Sequence, residues 1–232
     1  MKLSLIISTF ETSYGNSFPE LRKLLVDFGG VKRFNKGDII LKKGELAKGF
    51  YWVLEGSAKV SIQTNTKSEQ IVTVLSPGDF VGISAVLEKK QHNKSAEVLS
   101  DVAQVLFISG SDFFSFLQNH PMVVLPLIKH IEDKIERIEK RASQIMGKTI
   151  EQRLAYVFIV FQKKFGCDEK GYLKIQLSPK DLANFIGTTR TTVYRVLRKL
   201  QNHYIINAEK KRVQILESEK LRELFGKKAS HA

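Results

Sequence analysis

The stretch SPKDLANFIGTTRTTVYRVLRKL, residues 178–200, reads as two short helices joined by a tight turn centred on Gly187. Ser178, followed by Pro179 and then by Asp181 three places on, is an S-x-x-D start whose hydroxyl and carboxylate satisfy the first unpaired N–H groups of a helix. Leu182, Phe185 and Ile186 give that helix an apolar face. Gly187 supplies the backbone freedom for the turn, Thr188 continues it, and Thr189 offers a hydroxyl cap to a second helix over 190–200. At roughly 100° per residue, Val193, Val196, Leu197 and Leu200 share one side of this second helix, and Arg190, Thr191, Tyr194, Arg195 and Arg198 share the other. No acidic residue falls within it. Its first turns therefore present long donors to a major groove, with Arg198 placed for a phosphate. An arginine fork matches guanine O6 and N7, and each bidentate pair discriminates by about 1 to 3 kcal/mol. Arg190 and Arg195 are the expected reading residues.

Cations on the wet face of an amphipathic helix pair also occur in proteins that never touch DNA, so the charge distribution matters. Residues 147–232 carry 18 Lys and Arg against 8 Asp and Glu, which places +10 of the chain's net +13 beside the reading helix. Counterion release from a phosphate backbone favours such a basic terminal module and predicts steep salt dependence.

At 232 residues the chain has room for two modest domains, each burying a core. The single cysteine, Cys167, excludes an internal disulfide and a four-cysteine iron–sulfur cluster held by one chain, and it fits a reducing cytoplasm. The opening MKLSLIISTF lacks a small-residue cleavage site and meets Glu11 at once, so no signal peptide is expected. The apolar run at 123–128 contains Pro126 and is far too short to span a membrane.

A short helix is expected at 19–27, introduced by Ser17 and ended near Gly29 and Gly30. The text then changes to brief runs punctuated by Gly37, Gly44, Gly56, Gly78 and Gly110. Runs 38–41, 50–54, 58–62, 71–75, 80–83 and 104–108 are aromatic or β-branched and read as strands, and their even spacing predicts a sandwich or barrel. Residues 111–118 return to helix. From there Val124, Ile128, Ile131, Ile135, Ile138, Ala142 and Ile145 recur, after the first step, at alternating intervals of 3 and 4, flanked by charges. Such a heptad seam predicts a parallel two-stranded coiled coil, and part of the same stripe is expected to cover the barrel of its own chain.

A glycine-punctuated barrel, a long seam helix and a terminal helix-turn-helix together resemble the Crp/Fnr family of bacterial transcription regulators over nearly the whole chain. The most specific stretches are KGDIILKKGE at 36–45, YWVLEGSAKV at 51–60, LSPGDFVG at 75–82 and LSPKDLANFIGTTRTTVYRVLRKLQ at 177–201. The resemblance implies an α+β chain: an N-terminal double-stranded β-helix or jelly-roll barrel of the cyclic-nucleotide-binding type over 1–120, a dimerisation helix over 121–146, and a C-terminal winged helix-turn-helix over 147–232. It implies a homodimer reading double-stranded DNA with an inverted repeat, in contact with RNA polymerase, and no membrane partner. Arg190 and Arg195 match the family's guanine-contacting arginines. Thr191 stands where many members have glutamate, so the preferred half-site differs there. Thr189 and Thr192 match phosphate-contacting hydroxyls, and Ser178, Lys180 and Thr188 border the same surface. Residues 207–215 match the wing, which carries Lys210, Lys211 and Arg212.

The effector cassette departs from the pattern. After Gly82 a nucleotide-binding member would place glutamate for the ribose, and before Ser95 an arginine for the cyclic phosphate; this chain has Ile83, followed by Ser84, and Lys94. Isoleucine accepts no proton, although lysine still serves a phosphate as a point charge. On the long helix, the positions expected to meet the base are Ile138 and Glu139. Cyclic AMP is therefore not expected, and the effector is another small molecule or none. The loop EKKQHNKS at 88–95 is one residue longer than the cyclic AMP-binding pattern and holds His92, which reads as a solvated loop histidine. His120 and His130 are read the same way, and no metal is assigned. Two other classes stand beside this reading: a cupin-like metal-dependent barrel enzyme with a basic nucleic-acid-anchoring tail, for which 31–110 offers only His92 as an imidazole ligand, and a nonspecific architectural DNA binder.

Overall fold

The run FYWVL in the first half is apolar at every position because its strand is covered on both faces. A computed structural model of the chain describes Asp27 and residues 29–64 and 68–226; most of the helix expected at 19–27 lies outside them. The strands are β1 (Gly30–Asn35), β2 (Ile39–Leu41), β3 (Gly49–Glu55), β4 (Ala58–Gln63), β5 (Glu69–Leu75), β6 (Phe80–Val81), β7 (Ser95–Val98) and β8 (Val102–Ser109). They form two four-stranded antiparallel sheets in the orders β1-β8-β3-β6 and β2-β7-β4-β5, the jelly-roll expected. Alternation along β3 and β8 then divides the core. Val53 and Val105 point inward with Ile40, Leu41, Val60 and Val98 of the facing sheet. Phe50, Trp52, Leu106 and Ile108 point outward, where they meet two helices, α1 (Ile83–Leu87) and α2 (Gly110–Asn119), through Val86, Phe113 and Phe116. The Phe50 and Phe113 rings meet edge to face at 5.0 Å, and Trp52 stacks on Phe80 at 5.8 Å.

Three differences from the sequence reading have physical causes. The run at 80–83 is not one strand: β6 ends at Val81, Gly82 turns through φ 95°, and Ile83 opens α1. Strands β1 and β7 escape a hydrophobicity reading because they carry charges outward. Lys32 of β1 lies over the Phe107 ring, 4.2 Å from its centre, and Glu97 of β7 pairs at 3.2 Å with Lys59, its partner in the ladder.

Helix α3 (Val124–Ile145) follows. Val123, just before it, and Leu127 pack on the Phe50–Phe113 cluster, while Val124, Ile128, Ile131, Ile135 and Ile138 are each at least 39 % exposed. The chain divides into two compact units inside this helix, residues 1–136 and 137–232.

The second unit contains α4 (Ile150–Phe165), α5 (Pro179–Ile186), α6 (Arg190–Asn202), an antiparallel hairpin of β9 (Ile206–Glu209) and β10 (Arg212–Ile215), and α7 (Ser218–Gly226). Helix α4 begins with a full capping box between Thr149 and Gln152 and buries Leu154, Val157, Phe158 and Phe161. Helix α7 seats Leu221 at 0 % exposure, and α4 holds its end through Gln152 Nε2, which donates to the Leu224 carbonyl at 3.3 Å. Neither helix follows from pattern alone; α4 packs against α7 and also against α5, where the Phe161 and Phe185 rings meet at 5.4 Å. Among the described residues no helix is long and apolar enough to cross a membrane.

Candidate nucleic-acid interface

The two helices at 178–200 start as the sequence predicts. Ser178 Oγ accepts from the Asp181 N–H at 3.1 Å, and an Asp181 carboxylate oxygen accepts from the Ser178 N–H at 3.1 Å, so α5 has a complete capping box. Gly187 then adopts φ 73°, ψ 51°, and both its N–H and that of Thr188 donate to the Ala183 carbonyl at 3.0 Å. That left-handed step re-aims the chain. Thr189 Oγ1 accepts from the Thr192 N–H at 3.2 Å and caps α6.

Helix α6 sorts its residues as its periodicity requires. Val193, Val196, Leu197 and Leu200 are at most 7 % exposed, and Arg190, Thr191, Tyr194, Arg195 and Arg198 are exposed on the other side. Among the described residues, Arg195 and Arg198 donate to no protein acceptor. Together with Tyr194, Lys199, Asn202 and His203 they line an open depression of about 410 Å³. Lys199 is less free, since its ammonium pairs with Glu151 of α4 at 2.6 Å. One further contact lies outside the sequence reading: Arg190 Nη2 donates to the Tyr194 hydroxyl at 3.1 Å, and the guanidinium carbon lies 5.4 Å from the Tyr194 ring centre. Spacing i, i+4 allows this pair, but nothing in the sequence requires it.

Around this face, Lys180 is exposed in the first turn of α5, Thr188 and Thr192 are half-buried, and the Ser178 hydroxyl serves the helix cap. Lys210 and Lys211 form the exposed tip of the β9–β10 hairpin, with Lys210 at φ 53°. Arg212 is bound within the unit, donating to Asp168 at 2.8 Å and lying over Tyr172 at 4.2 Å. The second unit thus exposes cations in the first turn of α5, along one side of α6 and at the hairpin tip.

In the first unit, the cassette residues occupy unequal positions. Gly82 caps α1, Ile83 packs toward the Phe50–Phe113 cluster, and Ser84 and Lys94 are exposed. Ser95 Oγ accepts from the Lys43 N–H at 3.0 Å. Ile138 and Glu139 are exposed on α3 within the second unit. His92 is not solvated as its loop position implied: it is 7 % exposed, and burial holds its imidazole below the ordinary value against the opposing pull of Glu45. Loop residues fold inward when a glycine makes room, and here the ring lies against Gly82.

Comparison with known proteins agrees with this geometry in both units. Residues 31–120 match the cyclic nucleotide-binding domain, and residues 152–224 match the Crp-like helix-turn-helix domain. The probable transcriptional regulator flp of Lacticaseibacillus casei is 29% identical over 81% of this chain and 84% of that protein. The cAMP-activated global transcriptional regulator CRP of Pasteurella multocida is 21% identical over 80% of this chain and 89% of that protein. A CRP/FNR-family transcriptional regulator from Thermus thermophilus shares the fold with a TM-score of 0.72 at 20% identity, covering 86% of this chain and all of that one. These relatives are regulators, and the metal-dependent barrel enzyme has no support among them. The chain belongs to the Crp/Fnr family of DNA-binding transcription regulators.

Proposed function

We propose that this regulator acts in the cytoplasm as a homodimer that reads an inverted repeat, with Arg190 and Arg195 on guanines of each half-site. The observation that carries the reading is the exposed side of α6, where both arginines stand within the first two turns of the helix with no acidic neighbour on it. Thr189 and Thr192 sit at the helix N-terminus, where N–H groups and hydroxyls suit a phosphate. Lys180, Arg198, Lys210 and Lys211 extend that contact, with Ser178, Thr188, Thr191 and Tyr194 at its border. Dimerisation uses the exposed row Val124, Ile128, Ile131, Ile135 and Ile138, continuing to Ala142 and Ile145. It sets half-sites about one helical turn, 34 Å, apart, and RNA polymerase is the downstream partner. The division into 1–120, 121–146 and 147–232 follows the same logic of barrel, seam and reader.

The effector, where there is one, is a small molecule other than cyclic AMP. Ile83 offers no acceptor to a ribose hydroxyl, and the Ser95 hydroxyl already accepts a backbone hydrogen bond. Selection of bound sites from random DNA, with competition by bulk DNA at physiological salt, tests the reading. A palindrome lost in Arg190→Ala is the expected result; binding without sequence preference would instead establish an architectural DNA binder.

A further inference from the structure

We propose that the barrel carries a binding site for a small organic carboxylate with an apolar body, seated between His92 and Lys32. This site is separate from the DNA-reading surface and from the cassette positions 83, 84, 94 and 95. A cavity of about 390 Å³ opens between β1, β2, β3 and β8. One water occupies about 30 Å³ of liquid, so the space suits an organic molecule. Its walls are Ile40, Leu41, Leu46, Phe107 and the Tyr51 ring, which favour an apolar body.

His92 is the observation that points to a ligand. Its main chain is pinned, with its N–H donating to the Glu45 carbonyl at 2.9 Å and its carbonyl accepting from the Gly44 N–H at 2.8 Å. Its ring is wedged beside Gly82, where an added Cβ would fall 3.1 Å from the imidazole Cε1. The residue is 7 % exposed and lines the cavity, and among the described residues no protein group hydrogen-bonds its ring. Burial keeps the ring neutral at pH 7, so it offers one N–H donor and one lone pair.

Charge at the rim sets the sign of the ligand. Lys32 is held above the Phe107 and Tyr51 rings, 4.2 and 5.6 Å from their centres, and Lys48 also lines the cavity, against the single carboxylate of Glu45. The rim is net cationic, so an anionic head is attracted and an amine is repelled. Burial first, and Glu45 second, also push the Tyr51 phenol up, so it remains a neutral donor. No group of three His, Cys, Asp or Glu side chains gathers among the described residues, which leaves a metal ion short of donors here.

The test is carbon-13 NMR of the full-length protein with labelled histidine, the His92 resonance being assigned by its loss in His92→Gln. Benzoate is the probe, with benzamide and benzylamine as its neutral and cationic counterparts. The expected result is a saturable shift of the His92 resonance with a Kd of about 1 mM or tighter. Benzamide and benzylamine should bind about tenfold more weakly, and Lys32→Met should weaken benzoate about fivefold while leaving Trp52 fluorescence unchanged. No saturable shift, an equal response to either uncharged or cationic probe, or an unaltered benzoate affinity in Lys32→Met would each overturn the site. The readout contains no DNA, so a failure of the operator reading leaves this result standing and the reverse holds equally.

Discussion

On the proposed reading face, Arg190 and Tyr194 form one contact pair. The hydroxyl accepts the guanidinium hydrogen bond at 3.1 Å and the ring lies beneath it, so the fork is held before DNA arrives. Arg190→Ala should lower specific affinity by about 1 to 3 kcal/mol, roughly 5- to 150-fold, and relax base choice at one half-site position. Fluorescence anisotropy with matched and mismatched operators measures both. Tyr194→Phe keeps the ring and loses the acceptor, so specific affinity should fall about 2- to 10-fold with the salt slope unchanged; an unaltered specificity ratio would show that the pair does not position the arginine. His92 makes a different prediction. Its folded pKa lies below its unfolded value near 6.5, so the unfolded chain binds more protons between the two. The stabilisation is complete above about pH 6.5 and is lost as pH falls toward the folded value. Urea titrations of wild type and His92→Gln, followed by Trp52, the chain's single tryptophan and a buried barrel residue, should show a stability difference that varies with pH in that acid window and is constant above it.

Elements were legible where their own chemistry repeats locally. The α5–turn–α6 pair was readable because cap, left-handed glycine and apolar period all lie within one 23-residue stretch, and each is satisfied inside it. Gly187 gives a clean measure of this. A Cβ there meets nothing within 4 Å, so Gly187→Ala carries only the left-handed backbone penalty. Urea unfolding should show a loss of about 1 to 2 kcal/mol, with operator binding recovered at saturating protein. Helices α4 and α7 were not legible in the same way. Their apolar faces are ordinary in pattern, and what marks them is mutual: Gln152 and Lys148 reach the carbonyls of Leu224 and Phe225 from far away in sequence. Strands β1 and β7 were hidden for a related reason. Lys32 and Glu97 look like loop residues until a ring or an opposite charge on a neighbouring strand receives them.

At the scale of the whole molecule, the exposed isoleucine row of α3 is the feature that one chain leaves unfinished. Ile128 and Ile138 are 56 % and 60 % exposed, while Val123 and Leu127 already face the barrel. Sedimentation should give twice 26.4 kDa for the wild type, and Ile128→Lys with Ile135→Lys should return a species near 26.4 kDa that binds a half-site but has lost avidity for the palindrome. Replacing Lys210 and Lys211 together by alanine should reduce the slope of log affinity against log salt by about 2, leaving base preference intact. The sequence by itself determined the architecture and the helix-turn-helix, because periodicity, caps and charge are properties of neighbouring residues and survive without any tertiary partner. Only the tertiary structure decided which polar groups are spoken for. Arg212 and Lys199 are tied to Asp168 and Glu151, Ser95 serves the Lys43 amide, and His92 is turned from a loop into the barrel beside Gly82. Burial and pairing depend on residues distant along the chain, and no local pattern records them.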